Sequence, residues 1–327
     1  MSELLDRALD LTILPGFSRV GYTLRRLSWE DAFRHTISGR TALVTGGSSG
    51  VGEAACEGFV AAGAQVRMLV RNRERGEAAV SRIESRRPGA KEMIEVEVCD
   101  LSRLADVRRF AESFQTRCDR LDVLVHNAGV LPQQRTHTED GVELTFATNV
   151  LGPFLLTSLL LPSLVAAAPS RVITVSSGGM YTARLRPDDL QLEGEGFDGA
   201  RFYAHTKRAQ VALNHTWAES IPAGRIAFHA MHPGWVDTPG LRTSLPRFRR
   251  LMGPLLRDAD QGADTVVWLG TQPHLEPATG GFWHDRAPRP EHRLRSTRET
   301  AEDRERLWRE CERLAMAWGS RVAAPIF

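Results

Sequence analysis

Residues 45–52 read Thr-Gly-Gly-Ser-Ser-Gly-Val-Gly and directly follow the apolar run Thr-Ala-Leu-Val at 41–44. This pattern predicts a buried strand, a glycine-rich turn and a helix from about 51 to 62. Glycine tolerates positive φ and lets the backbone approach a ligand closely, while a helix N-terminus offers unpaired N–H groups to a phosphate. The turn therefore predicts a site for a nucleotide pyrophosphate. Because its glycine spacing is longer than G-x-G-x-x-G, a plain strand-to-helix loop stays open as the alternative at this point.

Composition narrows the class of protein. The chain has 327 residues, of which 42% are apolar, enough for a large soluble core, and 25% are charged. A formal net charge of +2 provides no strongly basic face, so no nucleic-acid partner is predicted. The four cysteines lie far apart without a C-x-x-C pair, which argues against a metal site or a disulfide framework and predicts a cytoplasmic protein.

Strand-like and helix-like segments alternate from residue 40 onward. Apolar strands separated by helix-length segments predict an α/β fold with a single Rossmann-type, doubly wound parallel sheet of about seven strands flanked by helices. The expected strands are 41–45, 65–70, 93–98, 121–126, 171–176, 225–231 and 281–284, and the expected helices are 51–62, 74–86, 103–117, 139–167, 201–220 and 259–270. We predict an N-terminal arm at 1–39, one nucleotide-binding domain at 40–285 and a charged helical extension at 286–327.

One segment has the length of a membrane span. Residues 144–170 contain no charged residue, and such a length crosses a bilayer. Because the segment lies between two strand-like runs, we expect instead a buried core helix that is broken at Pro162. The N-terminus lacks the basic and long apolar segments of a secretory signal.

Small and polar residues follow two later strand-like runs. Residues 126–129 read His-Asn-Ala-Gly, and residues 176–179 read Ser-Ser-Gly-Gly. Ligands of doubly wound sheets bind outside the carboxyl ends of the strands, so both segments are expected beside a ligand, although each alone is also an ordinary turn. On the next long helix, Tyr203 and Lys207 share one face. A nearby ammonium lowers a tyrosine pKa toward the range useful for proton transfer.

The order of these segments resembles the short-chain dehydrogenase/reductase family from about residue 40 to 285. Residues 232–238 (His-Pro-Gly-Trp-Val-Asp-Thr) are similar to the family's Pro-Gly-x-x-x-Thr segment beside the nicotinamide. The runs 171–180 and 231–240, with FDG at 197–199 and QGADT at 261–265, most resemble a subgroup that is similar to the retinol dehydrogenases.

The resemblance implies catalytic roles for four residues. Tyr203 would donate a proton to a carbonyl oxygen, or remove one from an alcohol. Lys207 would hydrogen-bond the nicotinamide ribose and lower the Tyr203 pKa. Ser177 would orient the substrate oxygen, and Asn149 would hold a proton-relay water.

The chain departs from the family pattern in places. His126 stands where the family has an asparagine, which puts one backbone hydrogen bond in question. Ser177 precedes Tyr203 by 26 residues, so the insertion at 181–200 is expected to form a wall near the substrate. Ser176 stays open as an alternative to Ser177.

The second strand ends in an arginine that indicates the cofactor. NAD-specific sites have an acid there for the ribose 2′-hydroxyl, whereas Arg71 can pair with a 2′-phosphate. We therefore predict NADP(H) in preference to NAD(H). The residues expected to contact the cofactor are Gly46, Ser48, Ser49, Gly50, Val51, Gly52, Arg71, Asp100, Leu101, Asn127, Ala128, Gly129, Tyr203, Lys207, Pro233, Gly234, Val236 and Thr238.

Residues 241–257 carry five arginines and no acid among leucines, phenylalanine and methionine. We interpret them as a lid over a small lipophilic carbonyl or alcohol substrate, or as a solvated basic helix. Contact of this segment or of residues 3–14 with a membrane surface stays open, as does a homodimer through helices 139–167 and 201–220.

The sequence thus predicts an NADP(H)-dependent oxidoreductase of the carbonyl reductase type. The alternatives are an epimerase or dehydratase on the same fold, and a non-catalytic NADP-binding protein.

Overall fold

A parallel sheet frames the molecule, and its strands end on one common edge. The structure, a computed structural model, describes residues 3–29, 36–194 and 196–316. The strands are β1 Thr41–Thr45, β2 Gln65–Val70, β3 Ile94–Val98, β4 Val123–His126, β5 Ser170–Val175, β6 Ile226–Met231, β7 Phe282–His284 and β8 Ala287–Pro288. Their order in the sheet is β3-β2-β1-β4-β5-β6-β7-β8. Strands β1 to β7 run parallel, and β8 pairs antiparallel with β7.

This sheet confirms the predicted doubly wound fold. The eighth strand is absent from the sequence prediction because two residues are too short to show a period. The sheet order reverses between β1 and β4, and in such sheets ligands bind at this switch point.

Helices cover both faces of the sheet. Their bounds are α1 Glu3–Leu11, α2 Ile13–Phe17, α3 Arg19–Arg26, α4 Gly50–Ala61, α5 Arg73–Arg86, α6 Leu104–Arg117, α7 Leu144–Phe146, α8 Gly152–Ala166, α9 Gly199–Ser220, α10 Pro239–Ser244, α11 Pro246–Met252, α12 Ala259–Thr271 and α13 Ala301–Met316. Helices α4, α5 and α12 pack on one face, and α6, α8 and α9 pack on the other. Apolar side chains from these helices and from the strands form the core on each face.

The long apolar segment Leu144–Ala166 satisfies the length and composition of a membrane span, but 78% of its most apolar window is buried in the protein. This burial agrees with a core helix. The helix starts at Leu144 rather than 139, because the Glu143 carboxylate caps it by accepting from Phe146 N at 2.9 Å. The predicted break at Pro162 was wrong: α8 continues to Ala166. Packing of its buried leucines outweighs the lost backbone hydrogen bond.

The N-terminal helices and α13 pack against the sheet and its helices. The N-terminal helices α1 to α3 lie against the end of β7, where Arg25 of α3 contacts Asp285 at 2.8 Å. Helix α13 lies over α8 and α9, with the Trp308 ring 5.0 Å from that of Phe154 and 4.5 Å from that of Trp217. It therefore covers part of the surface that the sequence analysis assigned to a dimer.

Candidate active site

A cavity of about 1170 Å³ opens at the carboxyl ends of β1, β2, β4, β5 and β6. It is larger than a typical small-molecule pocket, which leaves room for a dinucleotide and a substrate together. Its walls consist of the turns that follow these strands, the first half of α9 and the segment from Pro233 to Phe248. The sheet topology thus brings together the segments that the sequence analysis expected at this edge.

The glycine-rich turn after β1 is shaped for close approach by a ligand. Gly46 and Gly50 have positive φ values of 70° and 56°, which favour glycine. A Cβ at Gly46 would lie 2.9 Å from the Ala128 Cα, so no side chain fits between the two turns. The N-terminus of α4 follows at Gly50, and its first N–H groups have no partner within the helix. This geometry fits a pyrophosphate.

Asn127 connects that turn to the end of β4. Its Nδ2 donates to Thr45 O at 2.9 Å and to Gly46 O at 3.3 Å. The Thr45 hydroxyl accepts from the backbone N–H of both Asn127 and Ala128 at 3.0 Å. His126 does not take part, because it is buried and its Nε2 contacts the Thr157 hydroxyl at 2.7 Å. The bracing bond that His126 put in question is therefore made by the next residue.

Two arginines line the cavity beyond the carboxyl end of β2. Arg71 directly follows β2, and Arg75 lies one helical turn further along the chain, in α5. Both are exposed, and neither guanidinium forms an ion pair with any residue that the structure describes. Two free guanidiniums on one wall suit a dianionic group. The sequence analysis found Arg71 but missed Arg75, although its i,i+4 spacing was a usable signal.

Ser177 and Tyr203 meet at the floor of the cavity. Both side chains lie on the cavity wall, and the interaction with the Ser177 hydroxyl acts to lower the pKa of Tyr203. The Ser177 hydroxyl also accepts from Gly179 N at 3.2 Å. Ser176 also borders the cavity, but it is buried and its hydroxyl donates to the Lys207 backbone carbonyl at 2.9 Å. The direction of the two hydroxyls therefore favours Ser177 as the residue that faces a substrate.

Burial dominates the ionisation of this pair and of Lys207. Burial raises the pKa of Tyr203 to about 12, although the hydrogen bond with Ser177 acts to lower it. Burial also lowers the pKa of Lys207 to about 7. The Lys207 Nζ donates to Val175 O at 2.9 Å and lies 5.3 Å from the Tyr203 ring centroid. The expected lowering of the Tyr203 pKa by Lys207 is not found, because desolvation of the tyrosine is the largest effect on its pKa.

Asn149 lies behind the wall of the cavity rather than on it. It sits in a π-helical turn, Ala147–Leu151, of a kind that often occurs at functional sites. Its Oδ1 accepts from Val130 N at 2.9 Å, and its Nδ2 donates to the Thr206 hydroxyl at 3.1 Å. A Cβ at Gly129 would lie 3.4 Å from both Asn149 Oδ1 and Lys207 Nζ, so these two polar groups face one small gap.

A buried arginine holds the segment after β6. Arg257 donates to Pro233 O at 3.2 Å and to Ser18 O at 3.2 Å, and its backbone N donates to Trp235 O at 2.7 Å. The N–H of Trp235 donates to Phe17 O at 2.9 Å. The N-terminal arm is therefore part of the frame behind Pro233 and Gly234.

The opposite end of the cavity is apolar. Trp235, Leu245 and Phe248 line it, and the rings of Trp235 and Phe248 are 5.3 Å apart. The predicted lid, α10 with α11, crosses this end, and the Ser244 hydroxyl donates to Leu131 O at 2.8 Å. The insertion at 181–200 contributes wall residues as expected, among them Leu192.

Nearly all residues predicted to contact the cofactor lie on this wall. The exception is Gly52, whose Cβ would lie 2.3 Å from Gly46 O, so that it serves close packing of α4 behind the turn. The predicted residues on the wall are Gly46, Ser48, Ser49, Gly50, Val51, Arg71, Asp100, Leu101, Asn127, Ala128, Gly129, Tyr203, Lys207, Pro233, Gly234, Val236 and Thr238. The wall also includes Thr148, Trp235 and Phe248, which were not predicted individually, although Trp235 lies in the motif 232–238 and Phe248 in the predicted lid 241–257.

Comparison with known proteins agrees with this site. The model of the short chain dehydrogenase family matches residues 40–247. The chain belongs to the short-chain dehydrogenase family. Dehydrogenase/reductase SDR family member 12 from Bos taurus is 43% identical to it over 287 residues, which are 87% of this chain and 89% of that protein. Retinol dehydrogenase 12 from Mus musculus is 33% identical over 285 residues, 86% of this chain and 88% of that protein.

The subgroup that the motifs indicated is therefore that of SDR family member 12, and its resemblance is confirmed. This short-chain dehydrogenase is an oxidoreductase that uses a nicotinamide dinucleotide. The RhlG/NADP active-site complex from Pseudomonas aeruginosa has a TM-score of 0.62 and 25% sequence identity to it, covering 78% of this chain and 96% of that one. That complex agrees with NADP(H) as the predicted cofactor.

Proposed function

We propose that this short-chain dehydrogenase interconverts a lipophilic carbonyl compound and its alcohol with NADP(H). Tyr203 acts as the general acid–base. The observation that carries the proposal is that Ser177, Tyr203 and Lys207 line one cavity, with the buried Lys207 Nζ 5.3 Å from the Tyr203 ring centroid. The bound nicotinamide would supply or accept the hydride.

The side chains divide the remaining work. The Ser177 hydroxyl hydrogen-bonds the substrate oxygen and holds it at the Tyr203 hydroxyl. In reduction, the Tyr203 O–H gives its proton to that oxygen as the alcohol forms, which leaves a phenolate. Protonated Lys207 stabilises this phenolate because its ammonium lies on the same side of the helix. In oxidation the proton moves from the alcohol to the phenolate.

The ionisation states of the free enzyme favour the reductive direction. A tyrosine with a pKa raised to about 12 is fully protonated at neutral pH and is ready to donate. Lys207, with a pKa lowered to about 7, is charged in roughly half of the molecules at that pH. The charge that stabilises the phenolate is thus available at and below neutral pH.

The apolar end of the cavity supports a lipophilic substrate. Trp235, Leu245 and Phe248 carry no charge and give this part of the cavity wall an apolar surface. Burial of an apolar substrate group gains about 25 cal/mol per Å². We therefore expect Phe248→Ala to raise KM for a long-chain or retinoid-type aldehyde and to leave KM for a short aldehyde nearly unchanged. The assay is NADPH absorbance over a panel of steroid, retinoid and lipid aldehydes.

Replacement of Tyr203 tests the mechanism. Tyr203→Phe removes only the acid–base hydroxyl, so we expect turnover to fall by at least about a hundredfold while NADPH binding stays nearly intact. Tyr22→Phe is the matched control, because the Tyr22 hydroxyl contacts Asp264 at 3.3 Å away from the cavity. Unchanged turnover in Tyr203→Phe would refute the mechanism, and NADPH binding without turnover of any carbonyl by the native enzyme would favour an epimerase, a dehydratase or a sensor.

We further propose that the N-terminal arm touches an anionic membrane surface. Leu11, at the end of α1, and Leu27, directly after α3, are 80% and 82% exposed, and α3 carries Arg19 and Arg26. Exposed leucines with nearby arginines suit the boundary between headgroups and acyl chains. Co-sedimentation with phosphatidylserine vesicles should be lost in a Leu11→Glu, Leu27→Glu variant, whereas an exposed leucine replaced elsewhere, Leu294→Glu, should have no effect. No binding by the native chain would end this proposal.

A further inference from the structure

A second, smaller cavity of about 30 Å³ lies deeper in the protein, behind Asn149. We call it the inner cavity. It is lined by His126, Asn149, Val150, Pro153, Phe154, Thr157, Val172, Thr174, Gln210, Leu213, Asn214, Trp217 and Phe228. A water molecule requires about 10–15 Å³ of such volume, so the inner cavity has room for one or two.

Two polar residues of the inner cavity, Gln210 and Asn214, lie on one stripe of α9. Tyr203, Lys207, Gln210 and Asn214 recur at helical spacing, so the stripe begins at the catalytic tyrosine and ends at the inner cavity. Gln210 and Asn214 are 4% and 3% exposed. Amide side chains this deeply buried cost free energy unless their donors and acceptors are paired.

Four polar atoms at the inner cavity have no partner among the residues that the structure describes. They are His126 Nδ1, Gln210 Oε1, Asn214 Oδ1 and Asn214 Nδ2. Burial lowers the pKa of His126 to about 3, so its ring is neutral and Nδ1 offers one hydrogen bond. These atoms include hydrogen-bond donors and acceptors around a small space. They therefore fit a small molecule that can both donate and accept hydrogen bonds.

We propose that the inner cavity is a water-binding site and that Gln210 is a positioning residue for Asn149. The Gln210 Nε2 donates to the Asn149 backbone carbonyl at 2.6 Å, which orients its Oε1 away from that carbonyl. A water that donates to Gln210 Oε1 and is held by Asn214 and His126 Nδ1 fixes the amide in this orientation. The amide in turn holds the π-helical turn that carries Asn149.

The site acts on catalysis through Asn149 and Lys207. The Asn149 Oδ1 and Lys207 Nζ face one gap beside Gly129, so a shift of the π-helical turn changes the surroundings of the Lys207 amine. Such a shift alters the pKa of Lys207 and the rate of proton transfer, while the cofactor turn and the apolar end of the cavity stay in place. This kinetic part rests on the proposed function; the binding of water does not.

A high-resolution crystal structure of the native enzyme tests the water site directly. We expect one or two ordered waters within hydrogen-bond distance of Gln210 Oε1, Asn214 and His126 Nδ1. A dry inner cavity, or rotated amides that pair with each other, would overturn the water site whether or not the enzyme is active.

Asn214→Leu tests the link to catalysis, because leucine fills the same volume without polar atoms. We expect kcat to fall roughly tenfold and the pH limb of the reaction to shift, with KM and the Kd of NADPH within about twofold of the native values. Asn214→Ser leaves room for a further water and should retain kcat. Thr216→Val is the control on the same helix, since its hydroxyl donates only to Ala212 O at 3.2 Å.

If Asn214→Leu has the kcat and the pH profile of Thr216→Val, the positioning role of Gln210 is wrong. If Tyr203→Phe keeps its activity, the proposed mechanism is wrong. The crystallographic test of the water site is independent of that outcome.

Discussion

At the scale of single residues, desolvation governs the candidate site. The same burial that raises the pKa of Tyr203 lowers that of Lys207, because both shifts favour the neutral form. The pair is therefore poised with a proton on the tyrosine and an amine that titrates near neutral pH. Side-chain direction is equally decisive, since the Ser176 hydroxyl donates to the Lys207 backbone carbonyl, whereas the Ser177 hydroxyl acts on the pKa of Tyr203.

The ionisation of Lys207 predicts that the rate of carbonyl reduction depends on pH. Above a pKa of about 7 the amine loses its charge and no longer stabilises the Tyr203 phenolate, so kcat/KM for carbonyl reduction should fall as pH rises from 6 to 9. Ser177→Ala should lower the rate without shifting this pH dependence, because burial and not Ser177 shifts the Lys207 pKa. A profile that is flat between pH 6 and 9 would contradict this assignment.

The two arginines on the cavity wall predict cofactor preference. Arg71→Ala and Arg75→Ala should each raise the Kd of NADPH roughly tenfold to hundredfold, because a charge-assisted hydrogen bond is lost, and should leave the Kd of NADH nearly unchanged. Arg73→Ala is the control, since Arg73 lies between them but pairs with Glu77 at 3.8 Å and faces away from the cavity. Titration calorimetry measures both constants. An equal loss for NADH would show that the arginines do not read the 2′-phosphate.

At the scale of elements, the N-terminal arm belongs to the frame of the site. Arg25 of α3 and Arg257 flank Asp285 after β7, with N–O distances of 2.8 and 2.6 Å. Burial alone would raise the pKa of Asp285, but His284, Arg257 and Arg25 hold it well below its usual range. The Gly16 carbonyl accepts from both arginines, so α2, α3 and the segment after β6 meet at one buried ionic cluster.

Asp285→Asn should destabilise this cluster strongly. It leaves two buried guanidinium groups without their carboxylate, so we expect the free energy of unfolding to drop by about 3–5 kcal/mol. The control is Glu305→Gln on α13, where Arg309 and Glu305 are 69% and 57% exposed and a loss below about 0.5 kcal/mol is expected. Urea denaturation at pH 7 measures both. A loss in Asp285→Asn as small as that of the control would mean that the arm is held by its apolar contacts alone.

At the scale of the whole molecule, buried neutral histidines predict loss of stability in acid. Burial lowers the pKa of His126 to about 3 and those of His229 and His284 to about 4, below the usual 6.5. The unfolded chain binds these protons below about pH 6.5 and the folded chain does not, so stability must fall as pH drops from 6.5 toward 4. Each such group contributes up to about 1.4 kcal/mol per pH unit.

His229→Asn should make the free energy of unfolding less dependent on pH between 6.5 and 4, because one buried histidine is removed. Asparagine retains an acceptor for the Trp283 Nε1, which donates to His229 Nδ1 at 3.1 Å. His137→Asn is the control, because the side chain of His137 is 44% exposed. The readout is the free energy of unfolding in urea at pH 7, 6 and 5. Identical slopes for the native chain and His229→Asn would mean that His229 protonates alike in both states.

The homodimer stays a prediction at this scale. Trp308 of α13 lies against Phe154 and Trp217, so a dimer that used α8 and α9 would meet α13 first. We expect any dimer contact to include the outer face of α13.

The sequence by itself determined the sheet, the glycine-rich turn and the Tyr203–Lys207 spacing. These features depend on local periodicity and on backbone conformations that only glycine adopts readily, both of which are written in consecutive residues. Only the tertiary structure decided that Ser177 rather than Ser176 faces Tyr203, that Arg75 joins Arg71, and that burial outweighs Lys207 at the tyrosine. Those outcomes depend on which distant segments exclude water from a group, as when Arg25 meets Asp285 from 260 residues away.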